Sequence, residues 1–357
     1  MSETSSTINS AFAKFGLKKP NLVEEKYKFK IFNTELDFSP ENKQESVDKL
    51  REKLNFDLKS LDANTVIDYG KETNKHTNHD TGIGSNLKSS KKKLRIVCIS
   101  DTHNKFSNLA NKNKNTLPKG DILIHAGDIS MYGELEELEK FDDWLSFIEN
   151  SKNHNFKHII VIAGNRDMHL DKIWTDLRSK ESLQSGKYDE KKVKAKEKDY
   201  ENIRTFMKDK NHRKRKSNFI YLEDESITLE NYNFYGSPTS LIGGSKSGFK
   251  KPENSNILDN YWKKIPSRTD ILITHGPPFS VHDHTNRFGN IGDPILLKHI
   301  VERIKPKLHI FGHIHEDPGV KIYENSDQSI IFGNATCVNN TYSVCNSALV
   351  FDLDVKE

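Results

Sequence analysis

Between Leu94 and Leu353 the chain repeats one pattern: a short apolar run, a polar turn, then a longer stretch in which apolar residues recur at helical spacing. Runs of strand length are Leu94–Ile99, Asp121–His125, His158–Ala163, Phe219–Tyr221, Phe234–Tyr235, Ile271–Thr274 and Leu308–Phe311. Leu135, Leu138, Phe141, Trp144, Leu145 and Ile148 fall on one face of a 3.6-residue period, which predicts a helix over Glu134–Glu149. A second helix is expected over Ile291–Ile304. Strands alternating with helices define an α/β architecture. Val320–Tyr323, Ser329–Phe332 and Ala348–Leu353 then follow with no helical pattern between them, so part of the structure should be antiparallel, and two sheets are expected rather than one.

Ahead of Leu94 the pattern fails. Asn, Lys, Ser and Glu dominate, apolar residues come as islands, and a partly disordered polar region is expected over residues 1–93. One short helix is suggested there, with Ser39 as cap, Pro40 in the first turn, and Val47, Leu50, Leu54 and Leu58 at helical spacing. Glu72 to Lys93, with Gly82-Ile83-Gly84 and a Lys91-Lys92-Lys93 run, reads as a linker, so the main domain is placed at 94–357. A charged insertion at about 178–217 interrupts it and is read as a solvated helix and loop.

Composition narrows the function classes. In 357 residues the hydrophobic fraction is 34%, so a sizeable core requires the concentration after Leu94 just described. Lys and Arg number 55 against 51 Asp and Glu, a net charge of +4 that does not announce a nucleic-acid binder. Lys191–Lys198 is interrupted by acidic residues, and neither it nor Arg213-Lys214-Arg215-Lys216 is interleaved with aromatic residues for stacking bases, which argues further against a nucleic-acid substrate. No run reaches the roughly twenty apolar residues of a spanning helix, and Met1 to Pro20 lacks a secretory apolar core. Cys98, Cys337 and Cys345 form an odd set without staple spacing, which suits a reducing compartment; a cytoplasmic protein without membrane attachment is expected.

Five short blocks follow apolar runs: Asp101-Thr102-His103, Gly127-Asp128, Gly164-Asn165, Thr274-His275-Gly276 and Gly312-His313-Ile314-His315. Taken singly, each has an ordinary structural explanation. Asp101 and His103 could cap a helix, Asn165 could stabilise a turn, and His275 could be a satisfied histidine at a strand end. Taken together they offer carboxylate, imidazole and amide donors at the ends of separate strands, a mixed N/O set that suits zinc, manganese or iron better than calcium. Asp128, following a glycine that lets the backbone turn, is the natural bridging carboxylate. Two ions about 3.5–4 Å apart would hold a hydroxide as nucleophile and clamp a phosphoryl group for in-line attack. His125 and His309 lie inside strand runs and are read as core or supporting residues, whereas His282 and His284 follow a Gly276-Pro277-Pro278 turn and could either line a pocket or be ordinary loop residues.

These stretches resemble the calcineurin-like metallophosphoesterases, and within them the metallophosphoesterase-domain-containing group. The likeness rests on Ser100–His103, Gly120–Asp128, Val161–Asn165, Tyr235–Pro238, Thr274–Pro278 and Leu308–Glu316, and it covers about Leu94 to Leu353. The resemblance implies a four-layer α/β/β/α sandwich with two mixed β-sheets and a pair of divalent ions (Mn, Fe or Zn). It implies Asp101, His103, Asp128 and His315 around the first ion, and Asp128, Asn165, His275 and His313 around the second. It also points to small phosphoesters as substrates, phosphodiesters and cyclic nucleotides among them.

The chain departs from that family at one position. After Gly164-Asn165 such proteins usually carry a histidine that protonates the leaving oxygen, and here Arg166 stands, followed by Asp167. A guanidinium does not release a proton, but it can grip a phosphate bidentately. Asp128, Asn165 and Arg166 are therefore the expected catalytic residues, and Asn165, Arg166 and His284 the expected substrate contacts. Loss of a general acid costs about 10²–10⁴-fold, most on poor leaving groups, so a bias toward phenol-like or cyclic esters is expected, with His169 or His284 as other proton sources. The same departure motivates a rival reading, a metal-bearing scaffold with weakened turnover whose N-terminal region and basic insertion contact partners.

Overall fold

The computed structural model describes residues 92–110, 117–241, 247–251 and 255–356, with short pieces at 28–31, 34–37, 45–46, 48–49, 59–61 and 67–68. The chain divides into two units, Met1–Phe56 with Pro252–Tyr261, and Asp57–Lys251 with Trp262–Glu357. Within the first, strands β1 (Lys28–Ile31) and β2 (Thr34–Asp37) form an antiparallel hairpin. Of the short helix expected after Ser39, residues 45–46 and 48–49 are helical, and the rest, like most of the linker at 72–93, lies outside the described residues.

The second unit carries both large sheets. The first has six strands in the order β4-β17-β5-β6-β7-β8: β4 (Ile67–Asp68), β5 (Lys93–Ile99), β6 (Ile122–Ala126), β7 (His158–Ile162), β8 (Ile220–Tyr221) and β17 (Leu349–Asp354). The second has seven in the order β3-β15-β16-β14-β11-β10-β9: β3 (Lys59–Leu61), β9 (Glu225–Leu229), β10 (Tyr232–Ser237), β11 (Ile271–Thr274), β14 (Leu308–Phe311), β15 (Gly319–Glu324) and β16 (Ser329–Asn334). Both are mixed. β5, β6 and β7 run parallel and β17 antiparallel to β5, while β10, β11, β14 and β16 run parallel and β15 turns back on β16. The antiparallel element read from the helix-free C-terminal part is thus present, with its strands shared between the two sheets.

Alternation along the strands separates the layers. Leu94, Ile96, Cys98, Ile122, Ile124, Ile160 and Ile162 of the first sheet meet Phe234, Ile271, Ile273, Leu308, Ile310 and Ile331 of the second. The odd-facing residues Val97, Ile99, Leu123, Ile159 and Val161 instead pack on Leu138, Phe141, Leu145 and Ile148 of α1 (Leu135–Glu149), which begins one residue after the predicted start because Glu134 serves as its cap. On the far side of the second sheet Leu272, His309, Phe311 and Phe332 are fully buried, where α4 (Pro294–His299) makes the crossover between parallel β11 and β14. This is the expected α/β/β/α sandwich. The helix expected from Ile291 starts at Pro294 because Asp293 caps it, accepting from the N–H groups of Ile295 and Leu296, and it ends in a wide turn over Ile300–Ile304.

The charged insertion forms two helices rather than a helix and loop, α2 (Lys172–Gln184) and α3 (Glu190–Lys208), each capped by an aspartate, Asp171 and Asp189. Α3 buries Val193, Ile203, Phe206 and Met207. Much of the basic run after it has partners within the protein: Lys214 pairs with Glu139, Lys216 with Asp143, and Arg215 lies 3.6 Å over the Phe219 ring. Lys187 and Lys196 lie over Tyr188, and Arg178 over Trp174. Among the described residues no helix is long and apolar enough to cross a membrane.

Candidate metal centre

Parallel strands deliver their carboxyl ends to one edge, so residues just past β5, β6 and β7 meet those just past β11 and β14. Asp101 follows β5 by two residues, Asp128 follows β6 by two, Asn165 follows β7 by three, His275 directly follows β11, and His313 follows β14 by two. The local backbone is bent to bring them in. Asp101 (φ 55°), His103 (φ 42°), Asp128 (φ 53°) and His313 (φ 71°) all lie in the left-handed region, at a cost of about 1–2 kcal/mol each. Such outliers persist where the surroundings over-determine them, and the N–H of Asp101 donates to Gly127 O (2.9 Å) while that of His103 donates to Asp128 O (3.1 Å). Two motif glycines are required by close approach: a Cβ at Gly164 would collide with the Asp128 backbone and carboxylate, and one at Gly312 with Ser100 and the Asp101 carboxylate.

All seven expected donors converge. Asp101, His103 and His315 form one group that could hold a metal ion, and Asp101, Asp128 and His275 another. Asp128 turns one oxygen to each half: Oδ2 lies 3.7 Å from His103 Nε2 and Oδ1 3.4 Å from His275 Nε2. Asp101 Oδ1 lies 3.4 Å from His315 Nε2, and Asn165 Oδ1 lies 3.0 Å from His275 Nε2 and 2.8 Å from His313 Nδ1. The Nε2 atoms of His103 and His315 face each other at 3.3 Å.

Burial and charge set the electrostatics. Burial would raise Asp101, but the His315 ring beside it, with the charges of His275 and His103 behind, holds its carboxyl well below the usual range. Asp128 is likewise held low, burial being overcome by His275. Burial opposes the imidazolium of His275, yet Asp128 beside it pushes the ring up to about 9. Burial drives His313 down to about 4. The cluster is therefore two buried carboxylates with the histidines packed around them, a site built for cations.

The chemistry of the donors fits a metal. At bond lengths of about 2.0–2.2 Å, adjacent ligand atoms on one ion stand roughly 3–3.5 Å apart, the range of most of the separations above. Asp101 Oδ1 is buried with no hydrogen-bond donor. Two rings are aimed by a bond at the opposite nitrogen: His275 Nδ1 bonds Ala126 O (2.9 Å) and His103 Nδ1 bonds Ser130 O (3.3 Å), which leaves both Nε2 atoms turned inward.

The supporting residues show a repeated device. His125 on β6 bonds Thr102, between two of the donors, at 2.9 Å, and His309 on β14 bonds Thr274, beside His275, at 2.8 Å. Each threonine already donates to a carbonyl, Thr102 to Ile129 O and Thr274 to Gly276 O, so each imidazole must be the Nε2–H tautomer and the donor. Burial drives both rings down to about 3, so they are neutral. Thr274→Val would leave the His309 N–H without an acceptor; urea unfolding should show a loss of about 1–3 kcal/mol, and no loss would refute the assignment.

Arg166 sits at the rim. Its N–H donates to Asp128 Oδ1 (2.6 Å) and its guanidinium donates to the Tyr342 hydroxyl (2.9 Å). His284 is exposed on the two-residue strand β12 (His284–Thr285), which pairs with β13 (Gly289–Asn290), and the hydrogen bonds of the cluster do not include its side chain. His282 is buried against Asp317 at 2.9 Å. His169 packs between Trp174 and Tyr200, at 5.7 Å and 5.1 Å, toward the helical insertion. Two residues escaped the sequence reading. Asp167 was visible only as the neighbour of Arg166, yet its buried carboxylate ties the loops after β6 and β7 together. Tyr342 lies in a polar turn with no apolar frame and gave no signal at all.

A two-sheet sandwich that gathers aspartate, histidine and asparagine side chains at its strand ends is the architecture of a metal-dependent hydrolase. The calcineurin-like phosphoesterase family profile matches residues 94–317, and the chain belongs to that family. It is similar to metallophosphoesterase domain-containing protein 1 of Homo sapiens, 34% identical over 263 residues, which covers 72% of this chain and 71% of that protein. A UPF0046 protein of Caenorhabditis elegans is 34% identical over 265 residues, covering 74% and 76%. The crystal structure of a phosphopantetheinyl hydrolase from Mycobacterium tuberculosis aligns with a TM-score of 0.40 at 13% identity, covering 70% of this chain and 91% of that one.

Proposed function

We propose that this metal-dependent phosphoesterase hydrolyses small phosphodiesters, cyclic nucleotides among them, at a centre of two divalent ions. The observation that carries the reading is the convergence of seven N and O donors around two buried carboxylates, with Asp128 facing both halves. Asp101, His103, Asp128 and His315 would hold one ion, and Asp128, Asn165, His275 and His313 the other. When bound, manganese, zinc or iron would polarise the phosphoryl oxygens and lower the pKa of a water to supply the nucleophile.

The chain's own residues supply the remainder. Asp128 keeps its charge because His275 and His103 flank it, and the Arg166 N–H fixes its Oδ1. The Arg166 guanidinium spends one bond on Tyr342, and its other N–H groups remain to grip phosphoryl oxygens as charge develops. Asn165 holds its side-chain oxygen between His275 and His313, which orients all three.

The test is hydrolysis of a phenyl phosphodiester and of 2′,3′-cyclic nucleotides by the full chain after chelation, then after addition of manganese or zinc. Turnover should vanish on chelation and return with metal. Stoichiometric metal binding without turnover on any ester would favour the scaffold reading that Arg166 motivates.

A further inference from the structure

We propose that Tyr342 contacts the substrate, donating its phenolic hydrogen bond to the leaving oxygen of the ester while the leaving group lies in the cleft beside it; this rests on the phosphoesterase reading above. The hydroxyl accepts from Arg166 Nη2 at 2.9 Å, and among the described residues its own O–H has no acceptor. It stands over the metal-type cluster, with its ring edge-on to His103 at 4.7 Å and to His315 at 5.6 Å. A donor that accepts from a guanidinium, and whose own O–H has no acceptor among the described residues, suits an oxygen that gains negative charge.

The turn that carries it is prebuilt. Asn339 Oδ1 accepts from the N–H of Thr341 (3.0 Å), from its hydroxyl (2.8 Å) and from the N–H of Ser343 (3.1 Å), and Asn339 O accepts from the Tyr342 N–H (2.8 Å). This network holds Tyr342 at φ 58°, a conformation a tyrosine does not choose freely. Beside it a cleft of about 1090 Å³ opens against His103, with Asn104, Lys105, Asn108, Met131 and Val344 on its walls. That volume exceeds what a simple phosphate needs and accommodates a large, partly apolar leaving group. Of the two histidines considered as proton sources, His169 is packed against Trp174 and Tyr200 and His284 is exposed on β12, and the hydrogen bonds of the cluster include neither side chain.

In the reaction, water adds its oxygen to phosphorus and the bond from phosphorus to the leaving oxygen breaks with both electrons going to that oxygen. Tyr342 stabilises the resulting charge by hydrogen bonding, and the water that was consumed supplies the proton that completes the alcohol. Donation at this atom matters most when the leaving group is a poor one. It would therefore relieve the bias toward phenol-like esters that the absence of a histidine after Asn165 implies.

The experiment compares the manganese-loaded full chain with Tyr342→Phe, which keeps the ring against His103 and His315. Diesters with 4-nitrophenyl, phenyl and alkyl leaving groups are used, together with calorimetric binding of inorganic phosphate and metal content by mass spectrometry. The expected result is a fall in kcat of about 10²-fold or more on the alkyl ester, a small change on the 4-nitrophenyl ester, and phosphate binding weakened about tenfold at unchanged metal content. A uniform loss across leaving groups, no loss, or lost metal would overturn the proposal. If the wild type turned over no ester, the phosphoesterase reading would fail on its own, and phosphate affinity would decide for Tyr342: unchanged binding overturns its substrate contact, weakened binding supports it.

Discussion

Asp128→Asn is expected to abolish metal-dependent turnover, with kcat/KM lower by about 10³-fold or more and metal content reduced by at least half. The amide is close in shape to the carboxylate and can still accept the Arg166 N–H through its oxygen, now 2.6 Å away. It cannot serve both halves of the cluster. The atom that faces His103 Nε2 at 3.7 Å would become an NH₂ group, a donor turned toward a nitrogen that should share a cation. The site also loses one of its two negative charges. Lewis-acid stabilisation by such a centre is worth several kcal/mol, and each 1.36 kcal/mol is tenfold in rate. Metal analysis and hydrolysis of a phenyl phosphodiester, run on the same preparation, check the prediction. Turnover within tenfold of the wild type, at full metal content, would remove Asp128 from the bridging position.

The donors were legible because each follows an apolar run, and a parallel sheet brings such positions to one edge. Asp101, Asp128 and Asn165 needed only the pattern of β5, β6 and β7, and His275 and His313 that of β11 and β14. The layers were legible for the same reason, since Ile96–Ile99 and Ile122–Ala126 are buried on both faces. Elements held by tertiary context were not. β9 (Glu225–Leu229) is half exposed at a sheet edge and lacks a clean alternation, and β3 and β4 are two or three residues long, so their pairing with β15 and β17 left no periodic trace. Tyr342 depends on a turn built by the Asn339 side chain, a contact that spacing alone does not reveal. The roles of Arg166 and of the cleft beside His103 likewise arise from residues brought together across the sheets rather than along the chain.

Asp167→Ala should lower the unfolding free energy by about 3–5 kcal/mol, the largest stability effect expected near the site. The Asp167 carboxylate is fully buried and accepts from four donors: the N–H groups of Ile129 (3.1 Å), Ser130 (2.9 Å) and Gly164 (2.9 Å), and the Ser130 hydroxyl (2.6 Å). Removing it would leave three buried N–H groups without an acceptor, at about 1–3 kcal/mol each before the structure relaxes. The loss is partly offset, because burial and the nearby charge of Asp128 push this carboxyl up to about 7, and alanine escapes that cost. The unsatisfied donors should win, since three groups lose their partners while one unfavourable charge is relieved. A domain of ordinary stability, about 5–15 kcal/mol, would then stand close to its unfolding threshold. The two bonds from the Ile129 and Ser130 N–H groups join the loop after β6 to the loop after β7, so Asp128 and Asn165 would lose their common anchor and metal affinity should fall along with stability. Urea unfolding of chelated protein separates the two effects. A loss below 1 kcal/mol would show that the loops are held by the strands alone, and that Asp167 is a spectator of the geometry it touches.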